Sequence, residues 1–479
     1  MLKRFILCAM CLIMILSVSA CGGGTTGGGG TAGTTLTWYM MTSEPTGWPA
    51  VQAEVNKYLA EKLDVNLDAK FVGSDYESKA QMILSSGEAF DMMFTCSWVN
   101  NYESNVLKGA FMDITSLLDN TPKLKALYSA EQWDAVKMNN KIYGVPNMQA
   151  LYDQRGLWFL KSIVDKYNLP VTEVKSLDDL TKIYQQVKDS DEGKAGLIPV
   201  KDGRIDNFIP IVTTAANGYV SIVDGKATDR RAELLPTWYL MNDWYNKGFF
   251  PADVATLQDE TPLIKAQKLF SEYCRMLPGI EEKSKLSYNY DVTCVATGEP
   301  LISRNSIQSC MTAIGVNSKN PEKALQLIEL MQTDPYLFNL MAYGLEGANW
   351  NRDPADPNKI VRNTGTDAYI IPEWCIGNQL LAYISNPYDI NVWKDTEAEN
   401  KIAPVDPNIG FAFNPVPVEA EVAMVATVDN EYNKIIQNGL ENPDTYLPTY
   451  DNKMEQAGKS KVIAEVQKQY DAWKATVNQ

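Results

Sequence analysis

The sequence predicts an α/β fold with a helical C-terminal region. Three observations carry this. Strand-like apolar runs alternate with helical stripes from Leu36 to Thr95. The alternation resumes after a short apolar strand at Ile142–Pro146. From about Gly410 onward the periodicity is helical.

The elements follow in order. Leu36-Thr37-Trp38-Tyr39-Met40-Met41 reads as a buried strand, stopped by Ser43-Glu44-Pro45. Val51, Val55, Tyr58, Leu59 and Leu63 then fall on one helix face. Val65, Leu67, Ala69 and Phe71 alternate as a second strand. Tyr76, Ala80, Ile83 and Leu84 give another helical stripe, closed by Gly87. Phe90–Thr95 is a third strand. Such alternation implies right-handed crossovers and a parallel sheet, with ligand loops at the carboxyl ends of its strands. Two of those loops are Thr42–Pro45 and Cys96–Asn101.

Ile142–Pro146 marks a crossing between domains. Ser176-Leu177-Asp178-Asp179 opens a helix as an acidic capping box, with Leu180, Ile183, Tyr184 and Val187 inward. Asn207–Val223 and Leu234–Trp244 continue the α/β pattern. Leu277-Pro278-Gly279 turns into a polar stretch, and Val292–Ala296 is a strand, so a return crossing is placed at Leu277–Tyr290. Asn320-Pro321-Glu322 and Asp334-Pro335 start two helices, the second ended by Gly344. In the tail, Val422, Ala426, Ile435 and Ile436 lead to Gly439. Val462, Val466, Tyr470 and Trp473 mark a last helix, which makes Trp473 core. Trp238, periodic with Leu235 and Met241, is also core.

The N-terminus is a targeting segment. Lys3 and Arg4 precede an apolar run from Phe5 to Val18, then small residues and Cys21. The run is shorter than the roughly 20 residues a bilayer span needs. Val18-Ser19-Ala20-Cys21 resembles a bacterial lipobox, whose cysteine carries lipid after cleavage. Gly22–Thr35 is nearly all glycine and threonine and reads as a tether. The expectation is a protein lipid-anchored at Cys21 on the outer face of a Gram-positive cell membrane.

Composition removes several function classes. The formal net charge is −16, which argues against nucleic acid and against adhesion to an anionic membrane. Histidine is absent, so Ser-His-Asp and Cys-His catalysis and histidine metal sites are excluded. Downstream of Cys21 stand Cys96, Cys274, Cys294, Cys310 and Cys375, an odd number without metal spacing, expected as buried free thiols. Asp353, Asp356 and Asn358 lie near one another, but prolines intervene and no bidentate Glu follows at calcium-loop spacing. No metal and no cofactor are expected.

Four stretches together resemble family 1 extracellular solute-binding proteins, the lipoprotein receptors of ABC importers. They are Ile314–Ala324 with its Ser-Lys-Asn-Pro-Glu helix start, Tyr343-Gly344-Leu345-Glu346-Gly347, the Trp374-to-Gln379 segment with its Gly-Asn-Gln, and the region from Gly410 to the end. The last resembles an uncharacterised C-terminal domain of the family's large-ligand branch. The resemblance implies a two-lobed periplasmic-binding-protein-like fold of type II, joined by two or three crossings. The lobes are then residues 36–146 with 291–345, and residues 147–290 with 346–479. It also implies a cleft ligand, mostly sugars and oligosaccharides, with ABC permease subunits as partners and a monomeric receptor.

A sugar offers C–H faces to aromatic rings and hydroxyls to planar polar groups. The candidates are therefore aromatic and polar residues in the predicted loops. Trp98 and Asn100 follow the third strand, and Tyr39 and Glu44 adjoin the first loop. Gln149, Asp153 and Arg155 follow the crossing, the Arg as a possible bridge between lobes. Asn349, Trp350, Trp374 and Asn378 sit in the family-like loops. Trp98 is expected on the first lobe and Trp374 on the second. Three functions stay open: a carbohydrate receptor without chemistry, a receptor for peptide or another solute, and an extracellular glycoside hydrolase, which would need two carboxylates.

The anchor generates the first prediction. Cys21→Ala is expected to move the protein from the membrane fraction to the soluble fraction; retention in the membrane with unchanged mobility would contradict a lipidated Cys21.

Overall fold

The structure is a computed structural model, and it describes residues 33–203, 211–257, 259–365 and 368–477. Cys21 and nearly all of the tether lie outside them. Thr34 and Thr35, expected in the tether, already belong to the first strand.

The first sheet has five strands in the order Val65–Phe71, Thr34–Met40, Met92–Thr95, Met311–Ile314, Gly144–Pro146. Thr34–Met40 runs parallel to both of its neighbours, as the alternation predicts, and Met311–Ile314 runs antiparallel to both of its own. Along Thr34–Met40 the inward set is Leu36, Trp38 and Met40, so Tyr39 faces the other way. The central strand Met92–Thr95 is buried along its whole length, the pattern of a strand covered on both faces. Helix Trp48–Leu63 lays Trp48, Val51, Val55 and Leu59 on the sheet.

A second sheet has the order Val292–Ala296, Arg155–Leu160, Leu269–Arg275, Ile198–Val200. Helix Leu177–Asp189 covers it through Leu180, Ile183, Tyr184 and Val187, and Ser176 accepts a hydrogen bond from the Asp179 amide as its cap. We call the bodies around the two sheets the first and second lobes.

Two expectations are corrected. Val292–Ala296, assigned to the first lobe, pairs antiparallel with Arg155–Leu160 in the second sheet. The return crossing therefore lies after Ala296, and most of Leu277–Tyr290 is helix Ile280–Tyr288. Residues 346–409, assigned to the second lobe, bury Trp350, Ile360, Tyr369, Ile371, Cys375 and Ile376 in the first lobe's core. Periodicity marks a face as apolar without saying which sheet it meets.

The lobes are joined where crossing segments run side by side. Asp153 and Leu301 exchange both backbone hydrogen bonds, at 2.9 and 3.0 Å, and Ile302 bridges Val405. The Arg275 side chain donates to the carbonyls of Ala150 and Tyr152.

The C-terminal region forms three helices, Glu419–Asn438, Pro443–Gln456 and Lys459–Val477. They share a core with the antiparallel strands Thr213–Ala215, Val220–Val223 and Lys226–Asp229 and with helix Arg230–Asn246. Trp238 is buried there, and Trp473 packs on Phe411 and Tyr470.

Gly439 ends the first of these helices with φ of 59°. A β-carbon there would meet the Met241 backbone carbon at 2.2 Å. Backbone cannot yield as a flexible side chain does. Gly439→Ala is expected to cost about 2 kcal/mol or more, read as a lower urea midpoint at unchanged m-value.

Candidate ligand cleft

Between the lobes lies a cavity of about 760 Å³. Its first-lobe wall carries Trp98, Gln149, Ser309, Trp374 and Gln379. Its second-lobe wall carries Trp158, Arg275, Lys283, Ser287 and Tyr288.

Strand Met92–Thr95 delivers Trp98 to this wall. The following loop is tied down by Ser97 N–H to the Gln308 carbonyl and by Tyr102 N–H to the Cys96 carbonyl, both at 2.9 Å. Trp98 remains 59% exposed. Its indole N–H donates to the Ser309 carbonyl at 2.8 Å, which sets the ring plane. Trp374 lies 6.3 Å away between centroids, and each ring is edge-on to Phe94. The Asn147 amide donates to the Trp374 carbonyl, and Gln149 donates to Ser309 Oγ. Trp98 and Trp374 thus stand on one wall. Trp374, expected on the second lobe, therefore packs on the first.

The opposite wall was not among the sequence candidates. Trp158 and Tyr288 are 5.9 Å apart between centroids, and Tyr288 stacks on Tyr290. Trp158 sits in an apolar strand, reads as core from sequence and is buried, so the half-buried Tyr288 is the ring this wall presents. Ile280, Ser284, Ser287 and Tyr288 share a face of helix Ile280–Tyr288, with Lys283 beside it. A helical period mixing Ser, Lys and Tyr was the available signal. The Lys283 ammonium has no hydrogen-bond or ion-pair partner among the described residues. Crowding by the cleft walls lowers its pKa, Arg275 acts in the same direction, and Glu373 opposes them. The side chain is nonetheless exposed to cleft water, so we take it as a charged donor.

The remaining candidates do other work. Asn100 is fully buried at a positive φ of 45°, and its amide donates to the Phe94 carbonyl at 2.8 Å. Tyr39 bonds Glu88 through its hydroxyl and packs on Phe90. Glu44 is an exposed loop charge. Asn349 accepts from the Leu345 amide, and Trp350 is buried with its indole N–H on the Gly344 carbonyl. Asn378 caps Gln379–Leu381 by accepting from Leu380 N–H, and donates to the Gln332 carbonyl. None of these six lines the cavity, and neither does Arg155. Arg275, the register partner of Arg155 on the next strand, makes a bridge of the kind expected there. Arg275 also stands 3.6 Å from Asp153.

The lining has one carboxylate, Glu373, which pairs with Arg362 at 2.9 Å. Two-carboxylate glycoside hydrolysis needs a second beside it. Burial pushes the Cys310 thiol up to about 11, so it stays protonated. Asp353 is buried and accepts from the Asn386 amide and from Ala355 N–H, which uses the oxygens a calcium ion would need. Rings on both walls with amide, guanidinium and ammonium donors between them suit a neutral, hydroxyl-rich solute.

A scan against family models matches residues 42–270 to a bacterial extracellular solute-binding protein and residues 407–475 to a domain of unknown function, DUF3502. A carbohydrate ABC transporter substrate-binding protein of Streptococcus pneumoniae is 28% identical over 90% of this chain and 89% of its own length. The N-glycan transport solute binding protein NgtS of the same organism has been solved in several forms, each 26% identical over 92% of this chain. One form gives a TM-score of 0.81 over 98% of that chain. The complexes with Man1GlcNAc and Man5GlcNAc give 0.76 and 0.73, over 99% and 98% of theirs.

Losing a stacked, partly buried Trp removes roughly 1–3 kcal/mol, so Trp98→Ala is expected to weaken ligand binding about ten-fold or more by calorimetry in a folded protein. Asn378→Ala is expected to lower stability and leave affinity unchanged. By sequence, residues 42–270 carry a bacterial extracellular solute-binding domain and residues 407–475 a DUF3502 domain, and the whole fold is similar to that of solved solute-binding proteins.

Proposed function

We propose that this protein is a surface receptor that captures an oligosaccharide between its lobes and delivers it to an ABC import permease. It is held at the membrane by lipid on Cys21 and performs no chemistry of its own. The observation that carries this reading is the two-walled aromatic cleft, with Trp98 and Trp374 on one wall and Tyr288, backed by the buried Trp158, on the other. Gln149, Gln379, Arg275 and Lys283 supply the polar groups between the rings. The carbohydrate-binding relatives support the same ligand class.

The mechanism follows from the crossings. The ligand touches both walls only when the lobes approach, so it binds the closed arrangement better and shifts the population toward it. The closed form offers the permease a surface spanning both lobes.

Thermal-shift and calorimetric titration with Man1GlcNAc, Man5GlcNAc and a mixed peptide pool test the ligand class. Stabilisation by a glycan and not by peptides is expected; the reverse would replace carbohydrate with peptide. With a binding glycan, small-angle scattering is expected to show a smaller radius of gyration, and emission from the wall tryptophans is expected to change. An unchanged radius and spectrum at saturation would contradict closure.

A further inference from the structure

The cleft does not end at the first cavity. A second cavity of about 630 Å³ adjoins it. Ser287, Arg362, Ile370, Glu373, Gln379, Tyr388 and Trp393 line both, so the two are compartments of one bent groove. The corner between them is the Arg362–Glu373 ion pair. Its guanidinium also donates to the Tyr369 carbonyl at 3.0 Å and lies 4.9 Å over the Tyr343 ring. Held from three sides, this corner offers planar polar groups in a set orientation, which lowers the ordering cost of binding.

The second compartment repeats the chemistry of the first. Tyr388 and Trp393, 6.3 Å apart between centroids, supply rings, and Asn363 and Asn386 supply amides. It too has walls from both lobes: Leu286 comes from helix Ile280–Tyr288, and Val361 and Ile370 from the first lobe. These three large apolar side chains are 54%, 45% and 57% exposed and converge on this one cavity. Exposed apolar groups gathered around a polar pocket mark a ligand surface. Here they match the C–H faces of pyranose rings.

Resting on the oligosaccharide reading above, we propose that the second compartment is a subsite for additional sugar residues. The ligand bends at the Arg362–Glu373 corner, and the receptor discriminates by size as well as by the sugar held between Trp98 and Tyr288. Val361 and Leu286 are positions to block this compartment, because each is exposed and lines the second cavity and not the first.

The test is calorimetric titration of the full chain with Man1GlcNAc and with Man5GlcNAc. The wild-type protein is expected to bind the larger glycan about ten-fold or more tightly than the smaller. Val361→Trp is expected to abolish that advantage and leave Man1GlcNAc affinity within about two-fold. Leu286→Trp, which blocks from the opposite lobe, is expected to do the same, so misfolding of one variant leaves the other. Equal wild-type affinities, or an advantage that survives both substitutions, would overturn the subsite. Binding of neither glycan to the wild type would instead overturn the oligosaccharide reading, and the subsite with it.

Discussion

Each lobe is assembled from separate stretches of chain, so the segments that pass between the lobes constrain their relative position. Asp153 and Leu301 are bonded as a two-residue antiparallel ladder, and Ile302 continues it to Val405. A ladder of main-chain hydrogen bonds resists sliding along its length but tolerates bending about it. Arg275 reinforces the same place, since its guanidinium joins a second-lobe strand to the carbonyls of the first crossing. The cleft opens directly beside this joint, and Arg275 lines it. The joint and the cavity wall therefore share a residue, Arg275, the feature on which the proposed coupling of binding to closure rests.

The cleft's charge contrasts with that of the protein. The chain carries a formal charge of −16, yet Arg275, Lys283 and Arg362 face the cavity against Glu373 alone. Arg275 and Arg362 are each neutralised by a neighbouring acid, which leaves Lys283 as a cation without a partner among the described residues. Acidic residues are thus spent on solubility over the surface, while the cleft keeps cationic donors for oxygen-rich ligands. The aromatic residues divide similarly. Many lie in the cores, Trp158 of the cleft wall among them, whereas Trp98, Trp374 and Tyr288 sit on loop or helix positions that the cores leave partly open.

Local chemistry made much of the fold legible. The alternating inward set Leu36, Trp38 and Met40, the helix face through Val51, Val55 and Leu59, and the cap at Ser176 are short-range patterns, and each occurs where the sequence placed it. Trp98 and Gln149 were legible for the same reason: each follows a strand of the first sheet, at its carboxyl end. Asn100 shared that loop and was misread, because a buried turn at positive φ uses an asparagine as its own hydrogen-bonding hub. Trp350 and Trp374 sit in equally polar segments, and only packing separates them: one is buried against Tyr383, and the other stands beside Trp98.

The sequence by itself determined the element order, the inward faces of the strands and helices, and the aromatic, polar character of a site at the ends of the first sheet's strands. Those depend on neighbours a few residues apart. Tertiary structure alone decided that Val292–Ala296 joins the second sheet, that residues 346–409 pack on the first lobe, and that Arg275 ties the crossing. It also decided that Trp158, Lys283 and Tyr288 form the opposing wall. Each of these depends on strand register and interlobe placement between residues far apart in the chain, and a periodic apolar pattern is the same whichever partner it meets.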